Sequence, residues 1–238
     1  MRLPFYEMLD SQNAVRQCYA EVQNWVERTG IAGLNRRLEE AEAIFRRIGI
    51  TFAVYGEGGD PERLIPFDLL PRIFTAQEWR ILDRGIRQRT RALNAFLHDV
   101  YHRGEIIRAG IIPGEIIYGN SAYKPEMVGF SPPGKVYSHI VGIDIVRTGP
   151  DRFEVLEDNC RTPSGVSYML ENRDIMTRMF PDLFAKGIVA PVDDYPAELL
   201  KSLKEVAPPA CKGDPVVVVL TPGSLNSAYY EHSFLADL

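Results

Sequence analysis

Apolar residues Val15, Tyr19, Val22, Trp25 and Val26 recur at helical spacing ahead of Gly30, and Leu34, Leu38, Ala41, Ile44, Phe45 and Ile48 repeat the pattern ahead of Gly49. The spacing predicts two successive helices, each closed by a glycine. Ile50, Phe52 and Val54 then alternate with small or polar residues and run into Gly56-Glu57-Gly58-Gly59, which reads as a strand and a turn. That turn has no Lys-Ser/Thr pair after it, so it is a weak candidate for a phosphate loop. Thr75 and Glu78 form a capping-box pair, and Trp79, Leu82, Ile86, Leu93, Phe96, Leu97 and Val100 continue at helical spacing. A long helix should run to about Gly104.

Beyond the Pro- and Gly-rich stretch 124–134 the pattern changes. Residues 136–147 and 153–157 read as strands joined by Thr148-Gly149-Pro150-Asp151, followed by a helix over about 165–180 that Pro181 stops. A helix over about 196–206, a strand Val216–Leu220 and a helix starting near Asn226, with Asn226 or Ser227 as its cap, complete the pattern. The expectation is a mixed α/β (α+β) chain: a largely helical part, 1–134, followed by strand-helix alternation over 135–238.

Composition narrows the function classes. The 238 residues are 45% hydrophobic and 25% charged, enough for one large or two small domains with a core, and not the composition of a disordered chain. A net charge of -5 argues against a general nucleic-acid or anionic-membrane binder. The longest apolar run is Val216–Leu220, far short of a bilayer span, and the N-terminus has no signal-peptide layout, so a soluble cytoplasmic protein is expected. Cys18, Cys160 and Cys211 are scattered and suggest neither a disulfide framework nor a zinc site. Over 72–108, eight Arg face four acids, and Arg80, Arg84, Arg87 and Arg91 share one helix face. They form either a wall for an anionic ligand or a solvated face with local acid partners.

The most informative chemistry lies in Gly142-Ile143-Asp144-Ile145-Val146 and Val155-Leu156-Glu157-Asp158-Asn159. If the turn closes Thr148 on Phe153, Asp144 faces Glu157 across the hairpin and Asn159 follows on the same face. Close carboxylates repel unless a proton or cation lies between them, and an all-oxygen donor set suits magnesium better than zinc or copper. The alternative is an exposed hairpin carrying two solvated acids. Arg161-Thr162-Pro163-Ser164-Gly165 then supplies a cation, two hydroxyls and a glycine at a helix start, where free N–H groups favour anions. Ser164 could equally serve as an ordinary helix cap.

These residues resemble the circularly permuted ATP-grasp proteins, specifically the type 2 group related to glutathionylspermidine synthase. The strings that carry the resemblance are ITFAVYG, ERLIPFDLLPRI, EWRILDRGIRQRTRALNAFLHDVY, HIVGIDIVR, VLEDNCRTPSGVSYMLENR and LTPGSLNSAYYEHSFLA. The resemblance implies ATP and magnesium as cofactors, with Asp144, Glu157 and Asn159 holding the metal on the ATP phosphates. It implies Thr162 and Ser164 at a carboxylate substrate; the residues themselves add Gly165 beside them and Arg161 as the catalytic cation, and Glu231 either binds a substrate amine, with Tyr229 lining the pocket, or simply complements the dipole of its own helix. Gly142 stands where the synthase carries an Arg two residues before the metal Asp, so substrate identity does not transfer.

The implied activity is amide formation by an ATP-dependent carboxylate-amine ligase, through an acyl phosphate, on small-molecule or peptide substrates. Family members continue beyond LTPGSLNSAYYEHSFLA, and the lysines that grip ATP are expected in that continuation, which makes the chain as written a suspected fragment. The competing reading is a non-catalytic nucleotide-binding or assembly module. His98 and His102, spaced i,i+4, lack the surroundings of a zinc motif and read as ordinary helix residues.

Overall fold

A computed structural model describes residues 5–53, 62–185, 187, 189–226 and 228–238. Val54, the Gly56–Gly59 turn and the proposed cap Ser227 lie outside them. The elements in chain order are α1 (Ala20–Ile48), β1 (Thr51–Ala53), β2 (Glu62–Leu64), α2 (Ala76–Val100), α3 (Glu105–Arg108), α4 (Gly114–Tyr118), β3 (Gly142–Gly149), β4 (Arg152–Asn159), α5 (Val166–Met179), α6 (Pro181–Phe184), α7 (Tyr195–Glu205) and α8 (Tyr229–Asp237). The chain is mixed α/β, and its strands form two separate antiparallel pairs, β1-β2 and β3-β4.

The two N-terminal helices expected from the pattern are the two arms of α1, broken where Gly30 takes φ 64° and ψ 168°. Gly49 closes the second arm in the left-handed region, its N–H bonded to the Phe45 carbonyl at 3.0 Å. Val15 is not helical; it bridges Leu9, and the helix starts five residues later. The Thr75–Glu78 capping box is complete: Glu78 N–H donates to Thr75 Oγ1 at 3.2 Å and Thr75 N–H to Glu78 Oε2 at 2.8 Å. At the other end of α2, the Asp99 carboxylate accepts the amides of Glu105 and Ile106, both at 2.9 Å, and turns the chain into α3.

Two compact units result, and they do not break at 134/135. One contains 74–163 together with 1–5; the other contains 6–73 and 164–238. In the second, α1 packs on α5 and α6 through Val22, Trp25, Ala41, Phe45, Ile175, Met176, Met179, Phe180 and Leu183. Trp25 and Phe180 rings lie 4.4 Å apart, and Arg37 Nη1 donates to the Met179 carbonyl at 2.7 Å while its guanidinium covers Trp25. In the first unit, Ile81, Leu82 and Ile86 of α2 and Ile143, Ile145 and Val155 of the hairpin line one small cavity of about 180 Å³.

Val216–Leu220 is not a strand, contrary to the pattern. Val216, Val218 and Leu220 are 89%, 70% and 87% exposed. A strand exists only through its ladder, and no partner strand lies beside this segment among the described residues. The hairpin also begins later than expected, at Gly142; the amides of Tyr137 and Ser138 donate to Asn94 Oδ1, at 2.7 and 2.9 Å, instead of to a ladder.

Candidate functional site

β3 and β4 place Asp144 opposite Glu157 and Gly142 opposite Asn159, so the two carboxylates and the amide share one face. The route to that pairing differs from the simple ladder. Phe153 pairs with Arg147 rather than Thr148, and the register shifts twice, between Arg147 and Gly149 and between Asp144 and Ile145. Thr148 is the extra residue on one strand and Leu156 on the other, so the two bulges cancel. The second bulge also puts Val155 and Glu157 on opposite faces, although they are two residues apart.

Asp144, Glu157 and Asn159 are all exposed, and Asn159 Nδ2 donates to Glu157 Oε1 at 3.2 Å. No basic side chain among the described residues pairs with either acid. No group of three or more His, Cys, Asp or Glu gathers among the described residues, so the donor set is two carboxylates and one amide. Gly142 has a steric reason: a Cβ there would lie 2.9 Å from Pro163 Cβ, so an Arg could not enter without moving the chain.

The opposite face is held to α2 by ion pairs that the periodicity did not single out. Arg89 grips Asp158 with two bonds, Nε–Oδ1 at 2.7 Å and Nη2–Oδ2 at 2.6 Å, and these bonds hold the Asp158 carboxyl below its usual range. Arg147 and Glu78 form a buried pair, with 3% and 8% of their side chains exposed. The Arg147 guanidinium also lies over the rings of Phe5 and Phe153. Strand alternation contained the signal, because Arg147 shares the inward face of Ile143 and Ile145.

Arg161 and Thr162 belong to the unit of the hairpin, and both are exposed with side chains that meet no partner among the described residues. Ser164, Gly165, Tyr229 and Glu231 belong to the other unit. Ser164 is exposed and does not cap α5; Gly165 takes φ 107° at the N-cap position. Tyr229 is 39% exposed. Glu231 is 4% exposed, and its carboxylate accepts the amides of Gly165, Val166 and Ser167. It therefore occupies the helix end that the sequence offered to an anion.

Of the Arg row on α2, Arg87 pairs with Asp83 at 2.8 Å and Arg91 donates to the Arg87 carbonyl, while all four side chains remain exposed. His98 and His102 stack at 4.2 Å and tie α2 to the chain ahead of β3: His102 Nε2 lies 3.0 Å from Ser131 Oγ, and His98 Nδ1 lies 3.1 Å from the Tyr137 hydroxyl. Burial, followed by the neighbouring His102, lowers His98 from its ordinary value.

Residues 71–238, which include the hairpin and both helix starts, match the family described as a circularly permuted ATPgrasp. The chain belongs to the circularly permuted ATP-grasp family. Among relatives, the uncharacterized protein sll0335 of Synechocystis sp. is 44% identical over 234 residues, covering 98% of this chain and 48% of that protein. The uncharacterized protein Rv2411c of Mycobacterium tuberculosis is also 44% identical, over 98% of this chain and 42% of its own length. A protein of Frankia casuarinae named "Putative glutamate--cysteine ligase 2-2" is 38% identical over 97% of this chain and 26% of its own length. The chain thus spans less than half the length of each of these relatives.

Proposed function

We propose that the protein is an ATP-dependent carboxylate-amine ligase, with chemistry like that of glutathionylspermidine synthase. The observation that carries this reading is the exposed Asp144–Glu157 pair with Asn159 on the same face, within the segment that matches the ATP-grasp family. The names of the Frankia relatives support a ligase. The all-oxygen donor set fits magnesium, which Asp144, Glu157 and Asn159 would hold; bound there, it would neutralise and align the ATP phosphates.

A substrate carboxylate oxygen attacks the γ-phosphorus, ADP leaves, and an acyl phosphate forms. The amine nitrogen then attacks the acyl carbon, inorganic phosphate leaves and the amine gives up a proton. Arg161, exposed and uncommitted, binds the transferring phosphoryl oxygens, where charge develops. The Thr162 hydroxyl binds the substrate carboxylate; the same role for Ser164 and Gly165, and a substrate contact for Tyr229, rest on the resemblance to the synthase. Its substrates are small-molecule or peptide acids and amines.

The test is thermal unfolding of the full-length protein with magnesium and a non-hydrolysable ATP analogue. Wild type should gain about 2–3 kcal/mol at a hundredfold excess over Kd. Glu157→Gln should lose most of that gain while its unliganded melting temperature stays unchanged. An undiminished gain removes Glu157 from the metal site, and binding of the analogue with no ADP formed from ATP itself across a panel of acids and amines favours the non-catalytic module.

A further inference from the structure

The first turn of α5 is capped from a distant part of the chain. Neither Ser164 nor Gly165 offers a side-chain bond to the helix. Instead Gly165 N–H lies 2.8 Å from both Glu231 oxygens, Val166 N–H 2.9 Å and Ser167 N–H 3.4 Å from Oε1. A buried carboxylate is tolerated only where donors replace its water, and the free amides and positive end of a helix supply them. No basic side chain among the described residues pairs with Glu231, so the helix end is its counter-charge. The hydroxyls of Tyr168 and Tyr195 are pushed up, first by burial and then by the negative charge of Glu231. The next residue, His232, sets its Nδ1 2.8 Å from Thr221 Oγ1, so the first turn of α8 is fastened on two sides.

We propose that Glu231 is a positioning residue: its carboxylate neutralises the N-terminus of α5 and fixes the Ser164–Gly165 turn, and the α5 amides take no part in phosphate recognition. The role of Ser164 toward a substrate carboxylate rests on the ligase reading; the cap itself does not. Glu231 therefore does not bind the substrate amine, and the phosphoryl group must be held elsewhere.

The test uses Glu231→Ala and Glu231→Gln in the full-length protein. Glu231→Ala should lower Tm by about 5 °C or more and speed hydrogen exchange over residues 165–170. Added acetate should restore both in Glu231→Ala, by occupying the vacated carboxylate position, whereas acetamide should restore neither. Wild type should respond to neither additive. Magnesium with the non-hydrolysable ATP analogue should bind both variants as it binds wild type, by calorimetry. If Glu231→Ala does not fold, Glu231→Gln carries the exchange and binding measurements. Unchanged exchange over 165–170, absence of rescue by acetate, or a loss of nucleotide affinity of about tenfold in a folded variant overturns the proposal. Failure of wild type to bind the nucleotide, with acetate rescue intact, overturns the ligase reading and supports the cap.

Discussion

At the scale of single residues, the hairpin separates exposed charge from buried charge. Asp144 and Glu157 face outward with no basic partner among the described residues, whereas Arg147–Glu78 is buried. Removing one member of a buried pair strands the other, so Arg147→Met should cost about 3–5 kcal/mol in denaturant unfolding. Adding Glu78→Leu should recover part of that loss, less the capping bond to Thr75. Asp158 gives a pH signature. Its carboxyl is held low by Arg89, so its contribution is complete above the ordinary Asp value of about 4 and fades as pH falls through the folded value. Asp158→Asn should therefore flatten the acid limb of the stability curve, while a parallel curve would show that the bond contributes nothing. The outward triad was legible in the sequence because its members lie close together on one hairpin. The Glu231 cap was not, because its donors lie 64 to 66 residues away and nothing in local spacing joins them.

At the scale of elements, caps and periodicity served well wherever a helix carries its own boundary signals. Thr75→Ala should cost about 1 kcal/mol, read from chemical unfolding, because it removes one half of a complete capping box. Strands were less legible, since a strand is completed by a partner that need not be near in sequence. Asp144 and Glu157 do pair as the ladder predicts, but through two compensating bulges. The hairpin behaves as two short ladders in series: the open-end ladder carries Asp144 and Glu157 outward and Asp158 toward Arg89, and the turn-end ladder carries Arg147 toward Glu78. Val216–Leu220 has strand composition and no partner strand among the described residues. Its exposed apolar edge should drive self-association, and Val218→Lys should reduce the apparent mass in light scattering; a monodisperse wild-type chain would refute this.

At the scale of the whole molecule, the unit of 74–163 interrupts the unit of 6–73 and 164–238. The boundary expected at 134 followed a change in local pattern, whereas the units follow side-chain partnerships such as Arg89–Asp158 and Trp25–Phe180. The interruption sets an order of assembly during synthesis. Trp25, Phe45 and Arg37 emerge from the ribosome early, but Met176, Met179 and Phe180 arrive much later; Arg37 waits 142 residues for the Met179 carbonyl. Phe67 can pack on Phe45 early, but the part of α1 that carries Trp25 waits for Phe180 while the inserted segment closes on its own neighbours. The nascent chain is therefore most exposed to chaperones and to misassociation over the stretch of translation between residue 48 and residue 184.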